Sequence, residues 1–273
     1  MSSVNSLSIE KLSRLLGTPR CPMILDVRIP EDFDADPFLV PGSLRCAHED
    51  VPARAADYAG RSVVVVCQKG KKLSEGAAAW LRHAGAEAET LEGGTVAWAA
   101  AGQPRIRAER IPPRDGEGRT VWVTRSRPKI DRIACPWLIR RFVDPSAVFL
   151  FVAPAEVAAV AERFDATPFD VEDAFWSHRG ETCSFDTMLT EFGLETDALL
   201  RLATIVRGAD TARHDLAPEV AGLLAVSLGL SRMYADDLAQ LDAGLLLYDA
   251  LYRWARDATG ETHNWPNLRG RSA

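Results

Sequence analysis

The stretch Val63-Val64-Val65-Val66-Cys67-Gln68-Lys69-Gly70-Lys71-Lys72-Leu73-Ser74 carries the strongest structural signal in the sequence. Four consecutive β-branched residues predict a strand that is buried on both faces, and residues 75–83 favour a helix. Cys67 is therefore expected where a buried strand ends and a helix begins. The backbone N–H groups of such a turn, together with the helix N-terminus, favour an anion such as a cysteine thiolate.

The distribution of lysine singles out the same loop. The chain has only five lysines, and Lys69, Lys71 and Lys72 are three of them, although arginine is the common basic residue elsewhere. A cysteine after four valines is usually a structural core residue. The clustered ammonium groups instead favour a nucleophile beside an anionic substrate, so we interpret Cys67 as a reactive thiol.

The bulk composition indicates a globular protein with room for two domains. The chain has 273 residues, of which 47% are hydrophobic and 26% charged, and its net charge is -6. This charge gives no general attraction to nucleic acid, so we expect no nucleic-acid partner and only local anion sites. Because no apolar run could span a bilayer and residues 1–16 lack a leader pattern, we predict a cytoplasmic protein without membrane insertion.

The cysteines do not form a recognisable framework. Their number is odd and there is no CxxC pair, which argues against both structural disulfides and a thiolate zinc site. We expect five free thiols, at Cys21, Cys46, Cys67, Cys135 and Cys183.

Strand and helix patterns alternate through the first hundred residues, which predicts a parallel sheet with helices on both faces. Sites in such sheets form at the carboxyl ends of strands, where Asp26, Arg28 and Cys67 are expected. Residues 107–119 are rich in proline, glycine and charge, and we predict that they link this domain to a second one.

Three motifs of the first domain resemble those of the rhodanese family. They are Asp26-Val27-Arg28, the Cys67-x-x-Gly70-x-Lys72 loop, and Leu91-Glu92-Gly93-Gly94. The resemblance covers residues 8–106 and implies sulfur transfer without a cofactor. The cysteine takes a sulfane sulfur from a small anionic donor such as thiosulfate, holds it as a persulfide, and passes it to a thiol acceptor.

The resemblance also implies roles for the neighbouring residues. Gly70, Lys71 and Lys72 would stabilise the anionic sulfur, and Asp26 and Arg28 would help to order the loop. Many rhodaneses have arginine at the position of Lys72. Because lysine lacks the planar bidentate fork of arginine, we expect thiosulfate to be a poor donor. Leu73 occupies the position at which a cysteine phosphatase requires arginine, so we do not expect phosphatase activity.

The second half of the chain is mostly helical in its pattern. Two strands, at residues 120–124 and 147–152, precede five segments with apolar residues at spacings of three and four, the last at residues 237–256. We predict a mostly helical α+β domain over residues 120–265. The long last helix offers an interface for a homodimer.

Three strings in this half resemble the C-terminal domain of the chromate-resistance protein B family. They lie at residues 122–142, 178–185 and 205–210, within a resemblance that spans about residues 120–257. It implies a role in sensing or resisting chromate. The best-known members of the family carry a regulatory, DNA-binding region where this chain resembles a rhodanese, so a transcriptional role does not carry over.

Chromate is a tetrahedral dianion, and the second half contains donors suited to such an oxyanion. We predict that Arg125, Arg132 and His178 bind it, with Glu181 in the same polar segment. Structural ion pairs between these arginines and nearby carboxylates are the alternative. A divalent metal in this domain is a further alternative, with ligands that the sequence does not fix, although His178, Asp210 and His214 are candidates.

The sequence therefore predicts a chromate-response protein whose first domain transfers sulfane sulfur through a Cys67 persulfide. Two alternatives remain open. One is a non-catalytic module that senses chromate or a similar oxyanion and acts through a partner. The other is a metal-dependent C-terminal domain.

Overall fold

Two sheets, each covered by helices, organise residues 5–262, which the computed structural model describes. Residues 263–265, the end of the second predicted domain, lie outside the described range. The elements of the first half are, in chain order, β1 (Ser6–Leu7), α1 (Ile9–Leu15), β2 (Met23–Asp26), α2 (Pro30–Ala35), β3 (Phe38–Leu39), β4 (Ser43–Arg45), α3 (Val51–Arg54), β5 (Ser62–Val66), α4 (Lys72–His83), β6 (Glu87–Leu91), α5 (Gly94–Ala100) and β7 (Ile106–Arg107).

The first sheet has five parallel strands in the order β1-β6-β5-β2-β4. Side chains of β5 alternate between its two faces. Val63 and Val65 lie in one hydrophobic core with residues of α3 and α4, and Val64 and Val66 lie in the other with residues of α1 and α5. This two-sided burial explains the uninterrupted valine run, and it confirms the predicted α/β sheet with helices on both faces.

The predicted linker, residues 107–119, contains ordered contacts. Strand β7 at its start pairs antiparallel with β3, and Ile106 packs in the core of the second half. Farther along, Asp115 accepts hydrogen bonds from the backbone and side chain of Arg119, and Arg114 forms an ion pair with buried Asp144 at 3.0 Å. The segment therefore packs against the second half along much of its length.

The second half contains three strands and six helices among the described residues. They are β8 (Val121–Arg125), α6 (Asp131–Leu138), β9 (Val148–Val152), α7 (Val157–Phe164), β10 (Thr167–Pro168), α8 (Ser184–Phe192), α9 (Asp197–Asp210), α10 (Val220–Met233) and α11 (Asp237–Asp257). The strands form a parallel sheet in the order β10-β8-β9. The half is mostly helical, as predicted.

The second sheet separates two packed layers. Val123 of β8 faces α7, and Trp122 faces the large core built mainly from α6, α8, α9 and α11.

Helix α6 contains Pro136 and continues directly into a π-helical turn at Ile139–Val143. No helix between residues 5 and 262 is both long and apolar enough to cross a membrane.

The two halves touch along one side. The Gly42 N–H donates to the carbonyl oxygen of Phe142, and Arg256 Nη1 lies 3.3 Å from the carbonyl oxygen of Leu16. Gly17 sits so close to the rings of Phe142 and Tyr252 that a Cβ there would lie 2.3 and 2.6 Å from them. The ends of α1 and α11 thus meet at the π-helical turn.

Candidate functional sites

Cys67 lies directly after β5, at the carboxyl edge of the parallel sheet, as the valine run predicts. Its side chain is buried, with 5% of the residue exposed, and Sγ lies 3.2 Å from the hydroxyl oxygen of Ser74 in the first turn of α4. The Ser74 hydroxyl also donates to the carbonyl oxygen of Lys71 at 3.0 Å. Because a serine has one hydroxyl hydrogen, it can donate either to that carbonyl or to a Cys67 thiolate.

The backbone of the Cys67 loop packs against the N-terminus of α5. Thr95 N–H donates to the Cys67 carbonyl oxygen and Val96 N–H to that of Gln68, both at 3.1 Å. Gly70 and Gly94 meet at this contact with positive φ angles of 64° and 61°. The rhodanese-like motifs at residues 67–72 and 91–94 are thus two sides of one backbone contact.

The three lysines of the loop, Lys69, Lys71 and Lys72, have exposed side chains. None of them forms an ion pair within residues 5–262. Lys71 and Lys72 stand at the start of α4, where the helix N-terminus adds partial positive charge. That their ammonium groups converge on the Cys67 sulfur remains a prediction from the sequence.

Asp26 and Arg28 form a fully buried ion pair. Arg28 Nε lies 2.9 and 3.0 Å from the two Asp26 carboxylate oxygens, and its other guanidinium nitrogens donate to the carbonyl oxygens of Asp36 and Phe38. The sequence assigned this pair to the Cys67 loop. Its side-chain bonds instead hold the segment between α2 and β3, which corrects that assignment.

A second polar cluster lies at the carboxyl edge of the second sheet. It contains Asp131 at the start of α6, Asp170 just after β10, His178 in the following loop, and Asp210 at the end of α9. His178 Nε2 lies 3.6 Å from Asp131 Oδ2, 3.3 Å from Asp170 Oδ1 and 3.2 Å from Asp210 Oδ2. Carboxylates from three separate segments of chain thus converge on one imidazole nitrogen.

Asp131 is buried at the N-terminus of α8 as well as that of α6. Its carboxylate accepts the N–H groups of Ser184 at 2.7 Å and Phe185 at 3.1 Å. Burial, followed by the charges of Asp210 and Asp170, raises its pKa well above the ordinary value. The two backbone bonds act in the opposite direction, since they stabilise the charged form.

Asp170 and His178 stabilise each other's charged forms. Burial would raise the Asp170 pKa, but hydrogen bonds from His178 and Ser184 and the charges of Arg132 and Arg125 bring it below its ordinary value. Hydrogen bonds to Asp170 and Asp210 raise the His178 pKa to about 10.

The structure brings only part of the predicted oxyanion set together. Arg125 Nη2 lies 3.2 Å and Arg132 Nε 3.3 Å from the same Asp170 carboxylate oxygen, so both guanidinium groups already face an anion. His178 faces three carboxylates. A chromate dianion at these residues would meet that negative charge, so the geometry favours the ion-pair alternative, with Asp170 as the common partner.

Two other candidate residues lie outside the cluster. Glu181 has an 86% exposed side chain that pairs with Arg213 at 2.9 Å, so it is not part of a site with His178. The sequence made both Asp210 and His214 candidate metal ligands, but α9 ends at Asp210 and His214 lies in the exposed turn beyond. The sequence missed Asp170 as a site residue, because no local motif marks it.

Comparison with known proteins finds a matching family model for each half of the chain. A rhodanese-like domain model matches residues 8–101, and the model of the ChrB C-terminal domain matches residues 122–255. The first half of the chain is therefore similar to rhodanese-like domains, and the second half is similar to the ChrB C-terminal domain. It is 38% identical over 155 residues to Protein ChrB from Cupriavidus metallidurans, a match that covers 55% of this chain and 46% of that protein. The chain therefore matches less than half of the length of this relative.

Solved structures resemble the rhodanese-like domain. A rhodanese-related protein from Thermoplasma volcanium is 20% identical, covers 37% of this chain and 97% of its own length, and has a TM-score of 0.33. A rhodanese-like domain protein from Staphylococcus aureus is 23% identical, covers 35% and 91%, and has a TM-score of 0.31. A thiosulfate sulfurtransferase from Pseudomonas aeruginosa is 21% identical, covers 39% and 20%, and has a TM-score of 0.32.

The four cysteines other than Cys67 are held as thiols. Burial raises the pKa of Cys21 to about 12, and it also raises the pKa values of Cys46, Cys135 and Cys183. Cys135 and Cys183 lie in the core of the second half of the chain. None of the five cysteines is in a disulfide, in agreement with the expected free thiols.

Proposed function

We propose that the rhodanese-like domain is a sulfurtransferase in which Cys67 carries the transferred sulfur as a persulfide. The observation that carries this proposal is the position of Cys67, after the central strand and before α4, in a loop fixed by backbone bonds to α5. The match to a rhodanese-like family model supports the same chemistry.

The reaction has two displacement steps. The deprotonated Cys67 sulfur attacks the sulfane sulfur of a donor such as thiosulfate, a new S–S bond forms, and sulfite leaves with the electron pair of the broken bond. A thiolate or cyanide then attacks the outer sulfur of the persulfide, and the Cys67 thiolate leaves. No cofactor enters, and the residues contributed by this chain are the nucleophile and the donors around it.

The N–H groups at the start of α4 and the Ser74 hydroxyl are the donors available to the anionic sulfur. A helix N-terminus stabilises negative charge in its first turn. Once Cys67 is deprotonated, the Ser74 hydroxyl can turn from the Lys71 carbonyl to the sulfur, 3.2 Å away. We assign Lys71 and Lys72 the attraction of the anionic donor to this edge of the sheet.

The test is the Cys67→Ser variant of the full chain, assayed for thiocyanate formation from cyanide with thiosulfate and with a polysulfide donor. We expect no transfer above background with either donor, because serine cannot form a persulfide. Cys21→Ser is the matched control and should keep full activity, since its thiol stays protonated at neutral pH. Transfer by Cys67→Ser at the rate of the unaltered protein would reject the proposal.

We further propose that this sulfur chemistry operates in the response to chromate. The similarity of the second half to the ChrB C-terminal domain is the observation that favours this setting. The test uses cells that become sensitive to chromate when the gene for this protein is deleted. The unaltered gene should restore their growth on chromate, and a gene encoding Cys67→Ser should not. Equal restoration by both forms would support the alternative, a module that senses an oxyanion without catalysis.

A further inference from the structure

The cluster around His178 has the arrangement of a metal-binding site. One donor atom each from Asp131, Asp170 and His178 lies within 4.8 Å of the other two. The Asp210 carboxylate lies 3.2 Å from His178 Nε2 but is not a member of this group of three donors. These residues come from the N-terminus of a helix, the end of a strand, a loop and the C-terminus of a helix, and only the fold brings them together.

Hydrogen bonding alone accounts poorly for this geometry. A ring N–H has one hydrogen and makes one well-aligned bond, yet three carboxylate oxygens surround His178 Nε2 at 3.2 to 3.6 Å. Ligands bound about 2.1 Å from a common cation stand roughly 3.0–3.4 Å apart. The observed separations are close to those between neighbouring ligands of one ion.

A separate observation at the same edge of the sheet points to a bound group. Thr124 is fully buried, and its hydroxyl has no hydrogen-bond partner within residues 5–262. Thr124 is two residues after Trp122 in β8, so its side chain is on the same face, toward α6 and α8, whose first residues are Asp131 and Ser184. A buried hydroxyl without a hydrogen-bond partner destabilises the fold, and its oxygen can bind a cation or accept a hydrogen bond from a cation-bound water.

The cluster is also accessible to solvent, and neighbouring side chains hold its Asp170 carboxylate in place. His178 is 40% exposed, so a cation can enter and keep a coordination position open. Arg125 and Arg132 both contact one Asp170 oxygen, and Ser184 Oγ donates to the other at 2.9 Å. Such outer contacts fix the orientation of a metal-ligating carboxylate.

We propose that Asp131, Asp170 and His178 bind one divalent first-row transition cation in the second half of the chain. One imidazole nitrogen with carboxylate oxygens suits manganese, iron or zinc better than calcium. In this arrangement the two arginines orient the Asp170 ligand, a different role from the binding of chromate predicted for them. The site is independent of the Cys67 chemistry.

The test uses the full chain, freed of metal by dialysis against a chelator and titrated with manganese(II) chloride while free Mn²⁺ is followed by electron paramagnetic resonance. We expect one Mn²⁺ per chain. His178→Gln should weaken binding tenfold or more. Glu181→Gln is the control, because it removes a nearby carboxylate that pairs with Arg213 outside the cluster, and its affinity should be unchanged.

Thermal unfolding gives a second readout. Excess Mn²⁺ should raise the melting temperature of the unaltered protein and of Glu181→Gln equally, and should raise that of His178→Gln by less. Asp131→Asn is unsuitable, because that carboxylate also accepts two N–H groups at the start of α8. Absence of saturable binding, or equal weakening in Glu181→Gln, would overturn the proposal.

Discussion

Two glycine residues determine how closely the Cys67 loop can approach α5. A Cβ at Gly94 would lie 2.1 Å from the carbonyl oxygen of Cys67, and one at Gly70 would lie 2.3 Å from that of Leu91. Both distances are far below any real contact, and the atoms concerned are backbone. Because both residues also have positive φ angles, a side chain at either position is excluded by space and by conformation.

Gly94→Ala should therefore displace the loop that carries Cys67. We expect the free energy of unfolding to fall by about 2 kcal/mol or more, and sulfur transfer to fall at least tenfold. Gly76→Ala is the matched control, since Gly76 lies within α4 with nothing within 4 Å of a new Cβ. It should gain up to about 1 kcal/mol. Urea unfolding and the thiocyanate assay measure both effects, and a fully active, equally stable Gly94→Ala would contradict this account.

The sequence predicts the position of a residue well when the information is local, and poorly when the fold brings distant segments together. The position of Cys67 at the end of a strand could be predicted because its strand, loop and helix are contiguous. Asp170 has no such context, and only β10 and the turn after it bring it to Arg125 and Arg132. Glu181 was chosen because it is three residues from His178, but the intervening turn directs it toward Arg213.

At the scale of elements, helix α6 could not be predicted from periodicity. Almost all of its residues are buried, so its apolar residues do not alternate with polar ones at helical spacing. Pro136, in its last turn, is a residue type that usually ends a helix. The π-helical turn that follows, at Ile139–Val143, has no sequence signature either. The last helix, α11, was predicted at residues 237–256 and spans Asp237–Asp257, because burial on one face leaves the 3.6-residue pattern intact.

The N-terminus of α9 tests how much one cap contributes to the stability of the second half of the chain. Thr196 accepts the N–H of Leu199 through its hydroxyl, and its replacement by alanine should cost about 0.5–2 kcal/mol. Thr204→Ala on the same helix is the control. Its hydroxyl only bonds back to the Leu200 carbonyl, so alanine should be neutral or slightly stabilising. Equal losses in the two variants, measured by chemical denaturation, would show that the cap contributes nothing.

At the scale of the whole molecule, alternating strand and helix patterns were sufficient to predict the parallel sheet of the first half, and helical periodicity was sufficient to predict the mostly helical character of the second. The contact between the halves was not predictable, because it depends on residues with no shared pattern. Gly17 follows α1, Phe142 lies in the π-helical turn and Tyr252 lies in α11. Their proximity requires both folds to be in place, and it places the end of α1 against two aromatic rings.

The interface between the halves can be tested with two glycines that share a backbone conformation. Gly17 and Gly60 both have a φ angle of 72°, but a Cβ at Gly17 would meet Phe142 and Tyr252, whereas nothing lies within 4 Å of one at Gly60. Gly60→Ala should therefore lower the free energy of unfolding only by the cost of holding alanine at a positive φ angle, about 1–2 kcal/mol. Gly17→Ala should cost about 1–3 kcal/mol more, because the rings must move. Scanning calorimetry should show this as a larger drop in melting temperature, and a split into two transitions if the halves uncouple. Indistinguishable traces for the two variants would mean that the aromatic contact adds nothing to the stability of the joined domains.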